Sequence, residues 1–68
     1  MINPRNTLAK NIKRIRSERE LSQAALSVIS ETRLPGISEL ENAKGNPTLD
    51  TLIAVAKALK VTVSDLFN

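Results

Sequence analysis

Cysteine, histidine, tryptophan and tyrosine are all missing from these 68 residues, and Phe67 is the only aromatic ring. Without cysteine, neither a disulfide nor a thiolate metal site can brace the fold. Without histidine, the commonest general base, the commonest zinc ligand and every Ser-His or Cys-His arrangement are gone. One ring does not make the stacking platform on which proteins hold single-stranded nucleic acid. No apolar run reaches the length of a membrane span and no signal-peptide pattern opens the chain, so a soluble cytoplasmic protein is expected. Seven carboxylates are present, yet nothing in their spacing gathers two of them at a substrate pocket. These gaps point away from an enzyme, and no cofactor, metal or small-molecule ligand is expected.

What is present is a modest apolar fraction, 41%, and an uneven charge. A chain this short buries only roughly 60% of its unfolded surface, which leaves a thin margin of stability and room for one domain, residues 1–68. Ten basic residues face seven acidic ones, and the calculated pI is near 9.8. Arg5, Lys10, Lys13, Arg14, Arg16 and Arg19 against Glu18 and Glu20 give the first 20 residues a net charge of +4. Residues 21–50 are net −2, from Arg33 and Lys44 against Glu31, Glu39, Glu41 and Asp50. A basic balance suits nucleic acid, and it equally suits plain solubility.

Helical spacing and capping residues divide the chain into five short helices. Asn6 or Thr7 is placed to cap a first helix with Leu8, Ile12 and Ile15 on its apolar side, running to about Arg19. Ser22 caps a second, which ends near Ser30. Proline is tolerated in a helix only in the first turn, so Pro35 sets the start of a third helix near Leu34 that runs to about Ala43. Lys44-Gly45-Asn46-Pro47 is a loop by its composition. Thr48 caps a fourth helix, apolar on nearly every side and expected to be central and buried. Thr62 and Asp65 form a capping-box variant at the head of a fifth, with Leu66 and Phe67 as its inward pair.

The two short helices at 22–30 and 34–43, joined by a tight turn, make a helix-turn-helix over about residues 22–43, in which the second helix enters the DNA major groove. Here the sequence resembles the lambda repressor/Cro-like (XRE) helix-turn-helix regulators. The resemblance is carried by Leu21-Ser22-Gln23, Leu26, Ile37, Leu40-Glu41, Lys44, Asn46-Pro47-Thr48-Leu49, Leu52, Ala56, Ala58-Leu59 and Val61 through Phe67, in register over about 60 residues. It implies an all-α, five-helix lambda-repressor-like fold and residue roles to match. Ser22 and Gln23 fall where the family holds a DNA phosphate at a helix N-terminus; for Ser22 a simple cap serves as well. Asn42, Lys44 and Asn46 follow the recognition helix, where further phosphate contacts are made, although Lys44 is equally at home as a solvated loop lysine. Arg16 and Glu41 occupy positions that pair structurally.

The departures from the family pattern fall on the reading head. Glu31 replaces the usual turn glycine, and Thr32 stands where a buried valine is typical. Leu34, Pro35 and Gly36 occupy positions at which the family presents hydrogen-bonding side chains. Leu34 lies three residues before Ile37 and is expected to pack against the core. Base readout then falls to Arg33, Ser38 and Glu39, the last able to accept from cytosine N4 while repelling phosphate.

The expected function is that of a sequence-specific double-stranded DNA-binding regulator, of phage-repressor, Cro-like or restriction–modification controller type. One recognition helix covers too few base pairs to find a site unaided, so a homodimer on a palindromic operator is expected, forming mainly on DNA. Val61 and Val63 are the candidates for its interface; the alternative is that both close the core of a monomer. The rival function is a protein-interaction module such as the antitoxin of a toxin–antitoxin pair. It is favoured by the apolar pair Val28-Ile29 where charged residues are usual, unless that pair repacks around Thr32 and Leu34.

Overall fold

Short polar side chains decide where the helices start. The computed structural model describes residues 3–68, and among these five helices follow in order: α1 Pro4–Glu18, α2 Gln23–Ser30, α3 Leu34–Glu41, α4 Leu49–Leu59 and α5 Val63–Leu66. Ser22 Oγ accepts from the Ala25 amide at 2.9 Å, and Thr48 Oγ1 from that of Thr51 at 3.1 Å. Thr62 Oγ1 accepts from the Asp65 amide at 3.1 Å while Asp65 accepts from that of Thr62 at 2.9 Å, closing a capping box. The first helix begins earlier than expected. Its cap is Asn3, not Asn6 or Thr7, because Pro4 carries the fixed φ that suits the first helical position and needs no partner for an amide hydrogen. Only α3 lacks a side-chain cap; Arg33 precedes it, and Pro35 in its first turn removes one of the donors that would need an acceptor.

The ends of α1 to α4 are built alike and without glycine. Glu20, Glu31, Ala43 and Lys60 all adopt the left-handed conformation, with φ between 55° and 61°. Beyond each, an amide reaches back five residues: Leu21 to the Arg16 carbonyl at 3.0 Å, Thr32 to Ser27 at 3.1 Å, Lys44 to Glu39 at 2.8 Å and Val61 to Ala56 at 2.9 Å. This bond belongs to the Schellman motif, and it ends α3 at Glu41 rather than near Ala43. Gly45 also has positive φ, 77°, in the loop before α4.

Leu8, Ile12 and Ile15 of α1 meet Leu26, Ile37, Leu40, Val55, Ala56, Leu59 and Leu66 in one core, so every helix contributes at least one side chain. Two polar ties fasten α1 to the far end of the chain. Asn11, itself buried, donates to the Leu66 carbonyl at 2.9 Å, and Arg19 Nε donates to the Leu59 carbonyl. Three expectations fail on packing. The fourth helix is not buried all round: it packs on α2 and α5, Val55, Ala56 and Leu59 face the core, and Leu49 in its first turn is 65% exposed. Leu66 is fully buried but Phe67 is 40% exposed, because neighbouring residues at the end of a four-residue helix point about 100° apart and only one meets the core. Leu34, one turn before Ile37, lies beyond the edge of the core and is 45% exposed. Among the described residues no helix is long and apolar enough to cross a membrane.

The left-handed conformation costs an L-residue about 1–2 kcal/mol and glycine almost nothing, whereas glycine leaves a freer unfolded chain. Glu31→Gly is therefore expected to stabilise the fold by about 1 kcal/mol in urea denaturation. An unchanged or lower midpoint would show instead that the Glu31 side chain stabilises the turn.

Candidate nucleic-acid interface

The α2 N-terminus meets the end of α3 at a buried carboxylate, which ties the two helices together. Ile37, Leu40 and Glu41 lie on the inner side of α3. Glu41 is a charged residue among core side chains, and three donors meet it. Arg16 Nε donates to Oε2 at 2.6 Å and Arg16 Nη2 to Oε1 at 3.0 Å, a two-pronged pair, while Gln23 Nε2 donates to Oε1 at 3.1 Å. Arg16 Nη1 also donates to the Leu21 carbonyl at 2.7 Å. One network thus joins α1, the turn before α2, the first residue of α2 and the last of α3. Burial pushes the Glu41 carboxyl up, but the hydrogen bonds from Arg16 and Gln23 and the charges of Arg16 and Lys13 outweigh it, and the net shift is below the ordinary value. The hydrogen bond to Glu41 raises the Arg16 guanidinium against a smaller opposing effect of burial.

Gln23 is thus drawn inward by its amide nitrogen, an association absent from the sequence reading. Ser22 acts as a cap, and among the described residues the amides of Gln23 and Ala24 have no acceptor, so the positive end of α2 is open. Along α3, Pro35, Glu39 and Asn42 are exposed on the side away from the core, with Ser38 half-buried at its edge. Asn42 folds back, its amide donating to the Ser38 carbonyl at 2.8 Å. Glu39 leans over the next loop: a Cβ on Gly45 would stand 2.7 Å from Glu39 Oε2, the movable tip of an exposed side chain, so it is the positive φ of 77° that calls for glycine there. The turn and α3 approach closely at Gly36, where a Cβ would meet the Thr32 methyl at 3.3 Å and the neighbour would have to give by a few tenths of an ångström. Arg33 and Lys44 are exposed at opposite ends of α3, along a groove that Asn46 and Thr48 also line.

One residue of this surface escaped the sequence reading. Arg5, in the first turn of α1, donates from Nη2 to Asn46 Oδ1 at 2.9 Å, which brings the basic amino end against the loop after α3. The excess positive charge of residues 1–20 was the available signal, but no local pattern told which of six cations would reach that loop. Val61 and Val63 lie outside this groove, half-buried against the core.

A helix-turn-helix family model matches residues 12–66, from the core of α1 to the end of α5. The chain belongs to the helix-turn-helix family. It is 40% identical over 58 residues to an immunity repressor protein of Bacillus phage phi105, covering 85% of this chain and 40% of that protein. It is 39% identical over 61 residues to control protein C.SmaI of Serratia marcescens, covering 90% and 73%. An HTH-type transcriptional regulator, DdrOP3 of Deinococcus deserti, is 32% identical over 61 residues, 90% of this chain and 47% of that one. This helix-turn-helix chain thus spans less than half the length of two of these relatives. In three dimensions it matches the crystal structure of a helix-turn-helix (HTH_3) family transcriptional regulator from Vibrio cholerae with a TM-score of 0.87, at 25% identity, over 94% of this chain and 36% of the other.

Removing Arg16 strands a buried carboxylate, so Arg16→Ala is expected to destabilise this helix-turn-helix fold by about 3–5 kcal/mol in thermal melts. A change within the error of the melt would mean that water reaches Glu41 freely. The same pair sets an acid limit. A carboxyl whose folded pKa is depressed stabilises the fold fully above its unfolded value, near 4.5. That contribution is lost as pH falls through the lowered folded value. Denaturation midpoints should be flat near neutrality and drop below about pH 4, and Glu41→Gln should be less stable at neutral pH with a shallower acid limb.

Proposed function

We propose that this chain is the DNA-binding unit of a cytoplasmic, non-enzymatic transcriptional regulator that reads a palindromic operator as a homodimer. The observation that carries the reading is the network on Glu41, which locks α2 and α3 at one angle while leaving the α2 N-terminus and the outer face of α3 open together. The immunity repressor and the control protein among the relatives support the regulatory class. Ser22 and Gln23, with the open amides of Gln23 and Ala24 behind the Ser22 cap, take one phosphate, and Asn42, Lys44 and Asn46 take others beside the groove, with Arg5 added to them through Asn46. Arg33, Ser38 and Glu39 read base edges. Leu34 and Pro35, exposed at the tip of α3, offer apolar surface to the groove, where the 5-methyl of thymine is the matching group. Val61 and Val63, with the outward Phe67 beside them in sequence, supply the dimer contact. The second reading, a protein-interaction module of antitoxin type, is favoured by Val28 and Ile29, which are 77% and 54% exposed rather than repacked.

Selection of bound sequences from random DNA, followed by titration at two salt concentrations, separates the two. DNA affinity should fall steeply with salt because phosphate contacts release counterions, and the selected site should be an inverted repeat protected over two half-sites. A failure to enrich any sequence, with salt-independent binding to a protein, would favour the module. On the selected site, Gln23→Ala should weaken all sequences alike, whereas Glu39→Gln should change the preference at one base pair. Replacing one thymine per half-site by uracil should cost the chain about fifteenfold, because each of the two buried methyls is worth about 0.8 kcal/mol, and cost Leu34→Ala nothing. Equal tolerance of uracil by both proteins would remove Leu34 from the readout.

A further inference from the structure

Between α2 and α4 lies a face that the DNA reading does not use. Ile29 borders a hollow whose floor is Ile53, Ala54 and Ala58 of α4. Glu31 and Asp50 line the same hollow near the N-terminus of α4, and Lys57 near its C-terminus. On its other side Ile29 borders a second hollow with Arg19 and Lys60, so the positive end extends further. The strip therefore runs acidic, apolar, basic. Among the described residues the ion pairs are Arg14–Glu18 and Arg16–Glu41, so the charges along this strip are not paired within the chain.

We propose that this face takes a second copy of the chain, with α4 packed antiparallel on α4 across a two-fold axis at the Ile53–Ala54 step. Asp50 and Lys57 are seven residues apart, two helical turns or about 10 Å, and so share one face of α4. They are placed symmetrically about that step. A two-fold rotation there sets Asp50 against Lys57 of the second copy and Lys57 against its Asp50, and turns each acidic end onto a basic one. Ala54 beside the axis has no bulk to hold the helices apart, and Ile29 and Ile53 then cover one another's exposed carbon. A two-fold contact of this kind needs a surface complementary to itself, and an acid–apolar–base strip has that property. Nucleic acid is a poor occupant, because Glu31 and Asp50 would face its phosphates. This contact is separate from the one assigned to Val61 and Val63 and does not depend on the DNA reading.

Sedimentation equilibrium of the chain carrying Val63→Lys, which removes the other contact, tests the proposal. That protein should still self-associate, and adding Asp50→Lys or Lys57→Asp should each weaken association about tenfold or more, because two attractive pairs become two repulsive ones. Mixing the Asp50→Lys and Lys57→Asp proteins should restore association as a heterodimer, since one copy then carries only positive charges at these positions and the other only negative. That restoration would also show that both variants are folded. A strictly monomeric Val63→Lys protein, charge reversals without effect, or a mixture no tighter than its components would overturn it.

Discussion

A single buried carboxylate holds the architecture together. Glu41 sits among core side chains, and its charge is tolerable there only because Arg16 and Gln23 bring three donors to it. Those donors come from α1 and from the first turn of α2, while Glu41 ends α3, so satisfying one charge fixes three helices relative to one another. The apolar core alone would leave their angles softer, because dispersion is not directional, whereas a two-pronged guanidinium–carboxylate pair tolerates little rotation. The surface proposed to enter the groove of a rigid duplex gains from that constraint.

The same network binds the structural and the functional residues into one object. Gln23 is at once a partner of Glu41 and the first residue of the helix whose open amides face outward. One hydrogen of its carboxamide nitrogen is committed to Glu41, and the second remains for an outside acceptor such as a phosphate oxygen. In the first turn of α3 the chain carries Leu34, Pro35 and Gly36, where the family pattern has hydrogen-bonding side chains, and the turn at Thr32 packs close against Gly36. The residues proposed to position the domain therefore follow the family pattern more closely than those proposed to read bases. That division is what a common scaffold with diverging targets requires.

The start signals were legible because they are local. Ser22, Thr48 and Thr62 each cap the helix that follows them, as their side-chain chemistry dictates. The family pattern brought Arg16 and Glu41 together across 25 residues, which no local rule could do. The packing failures share one cause. Apolarity and helical spacing suggest an interior place for Leu34, for Phe67 and for every side of α4, but burial depends on whether a neighbouring helix is there to cover them, and five short helices cover few directions. Arg5 was missed for the complementary reason: its partner Asn46 lies 41 positions away, and long flexible cations carry no local mark of their destination.

The four left-handed helix ends bear on how long a molecule lasts. Each puts an L-residue where glycine would be more comfortable, and a fold of 68 residues has little stability to give away. Strain at these ends favours opening, and the open form is what proteases cut. Any ligand that binds only the closed form shifts this balance by mass action. Copies held on a target would thus outlive free ones, and the strain at Glu20, Glu31, Ala43 and Lys60 would act as a clock on unoccupied protein.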